Sequence, residues 1–113
     1  MNIDPANMSR AAEAASDLLK ALANRHRLLI VCQLLDGERS VGDLANFLSI
    51  RDSTVSQHLA LMRKDGLVAA RRDAQTIYYS IASEPARQIL QTLYRIYCEP
   101  TKICTPEMEA ITP

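Results

Sequence analysis

The residues in this chain that could do chemistry fall into two sets. The first is three thiols, Cys32, Cys98 and Cys104. A thiolate is a nucleophile and a soft-metal ligand, so each thiol is either inert packing or a redox or metal centre. Their number is odd, their spacing is wide and no C-x-x-C is present, which argues against a secreted disulfide framework and suits a reducing compartment. By periodicity alone Cys32, in LLIVCQLL, reads as a small buried hydrophobe. Cys98 and Cys104 flank the short segment EPTKI, which is flexible enough to allow an arsenite or soft-metal site built by Cys98 and Cys104, with or without Cys32 as a third thiolate. Cys104 reads equally as an incidental tail thiol.

The second set is polar and lies in STVSQHLALMRKDG and the segment after it. Ser53, Thr54, Ser56 and Gln57 are short or amide side chains, the kind that lets a helix backbone approach the base edges of a DNA groove. Gln57 can donate to and accept from adenine, and the hydroxyls can reach phosphate or base edges. Arg63, Arg71 and Arg72 supply charge for phosphate, with Gln75 in the turn beyond them. His58 falls at the edge of the apolar face, a packing or phosphate-contact position rather than a base-reading one. Taken alone, such a face reads equally as a solvated helix surface.

The surrounding pattern supplies the elements that must position these groups. SRAAEAASDLLKALA, with Ser9 as cap, is a helix whose apolar stripe is Ala11, Ala15, Leu18, Leu19 and Leu22. Asn24 caps a second, RHRLLIVCQLLD, which ends at a left-handed Gly37 and turns Leu28, Val31, Cys32 and Leu35 to one face. Ser40 and Asp43 resemble a capping box opening a short helix, Val41 to Leu48. After SIRD, the next helix places Val55, Leu59 and Met62 inward and stops at Gly66. LVAARR and TIYYSIA read as a hairpin turning at Asp73-Ala74-Gln75, with Ile77, Tyr79 and Ile81 on one face. Ser83 caps a last helix, with Pro85 in its first turn, an apolar stripe of Ala86, Ile89, Leu90, Leu93 and Tyr97, and Pro100 as its stop.

The expected fold is therefore mainly α with a small β-hairpin, in the order α-α-α-α-β-β-α: a winged helix-turn-helix. The expected division is a flexible start over residues 1–8, one domain over 9–98 and a flexible tail over 99–113. At 113 residues there is room for one core. Thirteen Lys and Arg balance 13 Asp and Glu, so a nucleic-acid reading rests on local charge, the basic stretch from Arg51 to Arg72. No segment reaches the roughly 18 apolar residues of a membrane helix, and a soluble cytoplasmic protein is expected. Without a Gly-rich phosphate loop, paired His ligands on a helix face or a serine elbow, neither an enzyme nor a bound cofactor is expected.

From Leu18 to Cys98 the chain strongly resembles the ArsR/SmtB family of dimeric winged-helix repressors, in LLKALANRHRLLIV, STVSQHLALMRKDGLV and RRDAQTIYYSI. The resemblance implies a homodimer through the first and last helices, with two recognition helices meeting successive major grooves of a near-palindromic double-stranded operator. Metal- and arsenite-sensing members often carry C-x-C before the recognition helix, where this chain has Ser40-Val41-Gly42-Asp43-Leu44. Zinc-type members use His on the final helix, and here it has none. What remains, Cys32 and Cys98, looks like the persulfide-responsive BigR, SqrR and HlyU-like branch. There the matching cysteines are joined by oxidation, commonly through a polysulfide bridge, and operator affinity falls. A reactive sulfur species would then be the inducer. Two other function classes remain open: a thiol oxidoreductase or sulfur carrier, which would turn over thiols without DNA, and a non-sensing DNA-binding antagonist of silencing.

Overall fold

The computed structural model describes residues 4–98. Helix α1, Pro5–Leu22, begins earlier than the Ser9 cap suggests. Asp4 is the cap: its carboxylate accepts from the Asn7 N–H at 3.1 Å, and Pro5 fills the first turn, where its missing N–H costs nothing. Residues 5–8 thus belong to α1.

Asn24 caps α2, Arg25–Gln33, as expected, its Oδ1 accepting from the His26 and Arg27 N–H groups at 3.0 and 3.1 Å. The helix does not continue evenly to Asp36. It tightens into a 3-10 turn over Leu34–Asp36 and ends at Gly37, whose φ of 139° and ψ of −172° belong to an extended region open essentially to glycine rather than to the left-handed helical one. Two residues on, Arg39–Ser40 form a short strand β1 that the sequence pattern did not announce.

Ser40 then caps α3, Val41–Leu48, its hydroxyl accepting from the Asp43 N–H at 3.1 Å. Ser49 takes the left-handed conformation, φ 58° and ψ 44°, and the chain turns into α4, Asp52–Lys64. Gly66, at φ 79°, and the Leu67 N–H donating to the Met62 carbonyl at 2.9 Å close α4. Strands β2, Val68–Asp73, and β3, Thr76–Ile81, make the hairpin. Its turn is Ala74-Gln75, since Asp73 already pairs with Thr76. The described strands are antiparallel in the order β1-β3-β2, so the hairpin belongs to a three-stranded sheet. Ser83 caps α5, Glu84–Tyr97, accepting from the Ala86 N–H at 3.2 Å.

The core gathers one stripe from each element: Ile30, Val31 and Leu34; Leu44 and Ala45; Val55, Leu59 and Met62; Val68 and Ile81; Ala86 and Leu90. Full burial of each large side chain stabilises by about 1.5–3 kcal/mol. Helix α1 differs: of its 18 residues only Ala21 and Leu22 are buried. A helix with so little cover gains little from this chain's own core.

Candidate nucleic-acid interface

Helix α4 is held by Val55, Leu59 and Met62, each 0% exposed. At 100° per residue this anchoring turns Ser53, Ser56 and Gln57 outward, and all of them are exposed. Thr54 and His58 lie on the flank and are half-buried, while Arg63 stands exposed in the last turn. Leu61 also shares the outward side, 54% exposed, one helical turn beyond Gln57. No side chain caps the start of α4.

His58 meets His26 of α2 edge-on, ring centroids 5.8 Å apart. Burial, then the charge of Arg27, then His26 hold its pKa below the usual histidine range. A neutral imidazole at neutral pH fits the packing role. The sequence pattern offered no sign of this pair, because His26 and His58 belong to different helices.

In the wing, register separates two arginines that adjacency had grouped. Cross-strand partners share a sheet face. Arg72 pairs with Ile77 on the side of Ala70–Tyr79 and Val68–Ile81, the side that meets the core. Arg71 pairs with Tyr78 on the opposite side. There Arg71 donates from Nη2 to Glu38 Oε1 at 2.8 Å and from Nε to both carboxylate oxygens at 3.0 and 3.2 Å, with its guanidinium 5.0 Å from the Tyr78 ring centre. Arg63 and Arg72 form no ion pair among the described residues. Gln75 is exposed in the hairpin turn. α4 and the hairpin thus leave Ser53, Ser56, Gln57, Arg63, Arg72 and Gln75 exposed to solvent.

Comparison with known proteins decides what this surface belongs to. Residues 24–70 match the model of the bacterial regulatory protein, arsR family. The chain is 46% identical over 92 residues to the transcriptional activator HlyU of Vibrio cholerae, covering 81% of this chain and 85% of that protein. It is 45% identical over 96 residues to the biofilm growth-associated repressor of Agrobacterium fabrum, covering 85% and 81%. The chain belongs to the ArsR family.

As an ArsR-family winged helix-turn-helix it superposes on reduced HlyU from Vibrio cholerae with a TM-score of 0.80 at 45% identity, covering 82% of this chain and 98% of that one. The repressor BigR from Xylella fastidiosa follows at 0.78 and 36%, covering 87% and 100%. ArsR-family proteins are DNA-binding transcription regulators, so α4 is the second helix of a helix-turn-helix and β2–β3 its wing. No described helix is long and apolar enough to cross a membrane.

The thiols stand apart from this surface. Cys32 lies in the last turn of α2, half-buried against the core, and burial raises its pKa. Cys98 is exposed at the end of α5. The soft-metal alternative needs Cys104, which, like Pro100 and the expected tail, lies outside the described residues. No cluster of three or more His, Cys, Asp or Glu suited to a metal occurs among the described residues.

Proposed function

We propose that this chain is a dimeric repressor whose two α4 helices read a near-palindromic operator and whose affinity falls when sulfur links Cys32 to Cys98. The observation that carries the DNA half is α4 itself, locked by three fully buried side chains with Ser53, Ser56 and Gln57 left outward. Gln57 reads base edges, the hydroxyls and Arg63 meet phosphate, and Arg72 and Gln75 extend the contact through the wing.

Dimerisation through α1 and α5 rests on what those helices leave uncovered. A groove of about 1060 Å³ runs between them, lined by Ala11, Ala15, Leu18, Leu67, Pro85 and Ile89 among others. Leu19 and Ile96 are exposed at 55% and 42%. Arg27 also lines the groove, and its Nε is buried without a hydrogen-bond partner, so an acceptor brought by a second copy would complete it. A related winged helix-turn-helix domain from Mycobacterium bovis, 30% identical with a TM-score of 0.68, is homodimeric.

The sulfur half rests on placement. Exposed Cys98 is the thiol an incoming persulfide meets first. Its thiolate attacks the sulfane sulfur of R–S–SH, forming Cys98–S–SH and releasing the thiol R–SH once the proton is returned. Cys32 then attacks that persulfide at the Cys98 sulfur and expels hydrosulfide, leaving a disulfide; a second sulfane transfer beforehand gives a trisulfide instead. A direct disulfide needs Cα atoms within about 7 Å, and each inserted sulfur lengthens the link by roughly 2 Å. α2 packs against both α4 and α5, so a link between the ends of α2 and α5 acts on the helix that carries α4.

Fluorescence anisotropy on a duplex selected by the protein from random-sequence DNA tests both halves. Binding should fall steeply with salt and weaken after an organic persulfide but not in its absence, with mass spectrometry reporting a Cys32–Cys98 crosslink. Absence of any crosslink, whatever its sulfur count, overturns the sensing half; absence of DNA binding overturns the whole.

A further inference from the structure

The Glu38–Arg71 pair is the one feature of the wing that the reading above leaves unused. Glu38 stands between Gly37 and β1, far from β2 in sequence, yet it takes hydrogen bonds from Arg71 Nε and Nη2 together. That side-by-side N–H edge is the one a guanidinium offers to a phosphate, and a carboxylate occupies it with nearly the same spacing of oxygens. Tyr78, cross-strand from Arg71, lies under the guanidinium and holds its plane. The pair is surface-exposed, with side chains 54% and 38% accessible, so water and a competing anion can reach it. Exposed ion pairs are weak and exchange readily.

We infer that Glu38 occupies the phosphate-binding edge of Arg71 in the free protein and so sets the wing's affinity for DNA, which must displace it. The inference rests on the DNA-binding reading and adds an affinity-setting residue to it. While the clasp is closed, Arg71 and Glu38 present no net charge, and the wing's outer side offers one cation fewer to an approaching duplex. Once it is opened, a DNA phosphate takes the same N–H edge and Glu38 returns to water. The hydrogen bond to Arg71 lowers the Glu38 pKa, so acidification toward the ordinary carboxylate range does not by itself open the clasp.

The test is a set of variants, Glu38→Gln, Glu38→Asp, Arg71→Gln and Glu38→Gln/Arg71→Gln, titrated against the wild-type-selected duplex over a range of salt. Glu38→Gln should bind roughly two- to five-fold tighter, the scale of a released surface pair. Its plot of log binding constant against log salt should keep its slope, because Arg71 meets a phosphate in either complex. Glu38→Asp keeps the charge but shortens the reach, so it should show part of the gain. In the Arg71→Gln background the Glu38 substitution should change little. Both side chains are exposed and outside the core, and unchanged thermal unfolding will show that all the variants fold.

A Glu38→Gln protein that binds no tighter, or more weakly, overturns the inference while the DNA-binding reading stands. So does a gain of equal size with and without Arg71, which would make Glu38 a general negative charge. A wild-type chain that selects no duplex overturns the DNA-binding reading and this inference with it.

Discussion

In the proposed function, Gln57 is the side chain that reads a base edge. Its exposure on the outward face of α4, opposite Val55 and Leu59, leaves both amide groups free for a base edge. Gln57→Ala should cost about 1–3 kcal/mol of discrimination at one base pair of each half-site and leave the salt dependence unchanged, because no charge is lost. Binding measured across a panel of single-base operator variants checks this. Arg63→Gln should do the reverse, weakening every duplex alike. His58 makes a separate prediction. Its folded pKa is depressed, so the folded protein favours the neutral ring: stability is full above the unfolded value of about 6.5 and is lost as pH falls through the lower folded value. Thermal melts from pH 8 to pH 5 should show that loss, and His58→Gln should reduce it. Raising the Cys32 pKa by burial has the opposite consequence for rate. Crosslinking by persulfide should keep accelerating with pH above the ordinary thiol range as the Cys32 thiolate forms.

At the scale of elements, much of the frame was legible because local chemistry and tertiary packing agree. Asn24, Ser40 and Ser83 each accept the N–H bonds their caps imply, and Val55, Leu59 and Met62 face the core as the helical period requires. What escaped the pattern is what only three dimensions create. β1 is a two-residue strand with no periodicity of its own, and it exists because Tyr78 and Tyr79 of β3 lie beside it. Glu38 and Arg71, or His26 and His58, meet across elements, and no spacing rule reaches them. The start of α1 differs from the Ser9 expectation for a plainer reason: Asp4-Pro5 is a stronger start signal than Ser9 and lies ahead of the Ala-rich run. The same packing makes α4 the element whose anchoring matters most. Leu59→Ala should destabilise the domain by about 2–5 kcal/mol in urea unfolding, since a fully buried side chain leaves a cavity between α4 and its neighbours.

For the whole molecule, the question is what α1 packs against. Within one chain it buries only Ala21 and Leu22, while the apolar groove beside α5 stays open. Leu19→Glu places a charge on the exposed flank of α1, and sedimentation should show it shifting the protein toward monomer, with operator binding weakened through loss of the second half-site. The known relatives are consistent with more than one regulatory outcome, since the similar proteins include a transcriptional activator as well as repressors.

The bare flank of α1 has one more consequence, a thermodynamic one. If much of that helix finds its apolar partner only in another polypeptide, then folding of the first segment and association of two chains are linked by mass action. The melting temperature should then climb with protein concentration. Where the chain is dilute, the occupied operator, by holding two chains together, would also be what keeps their first helices folded.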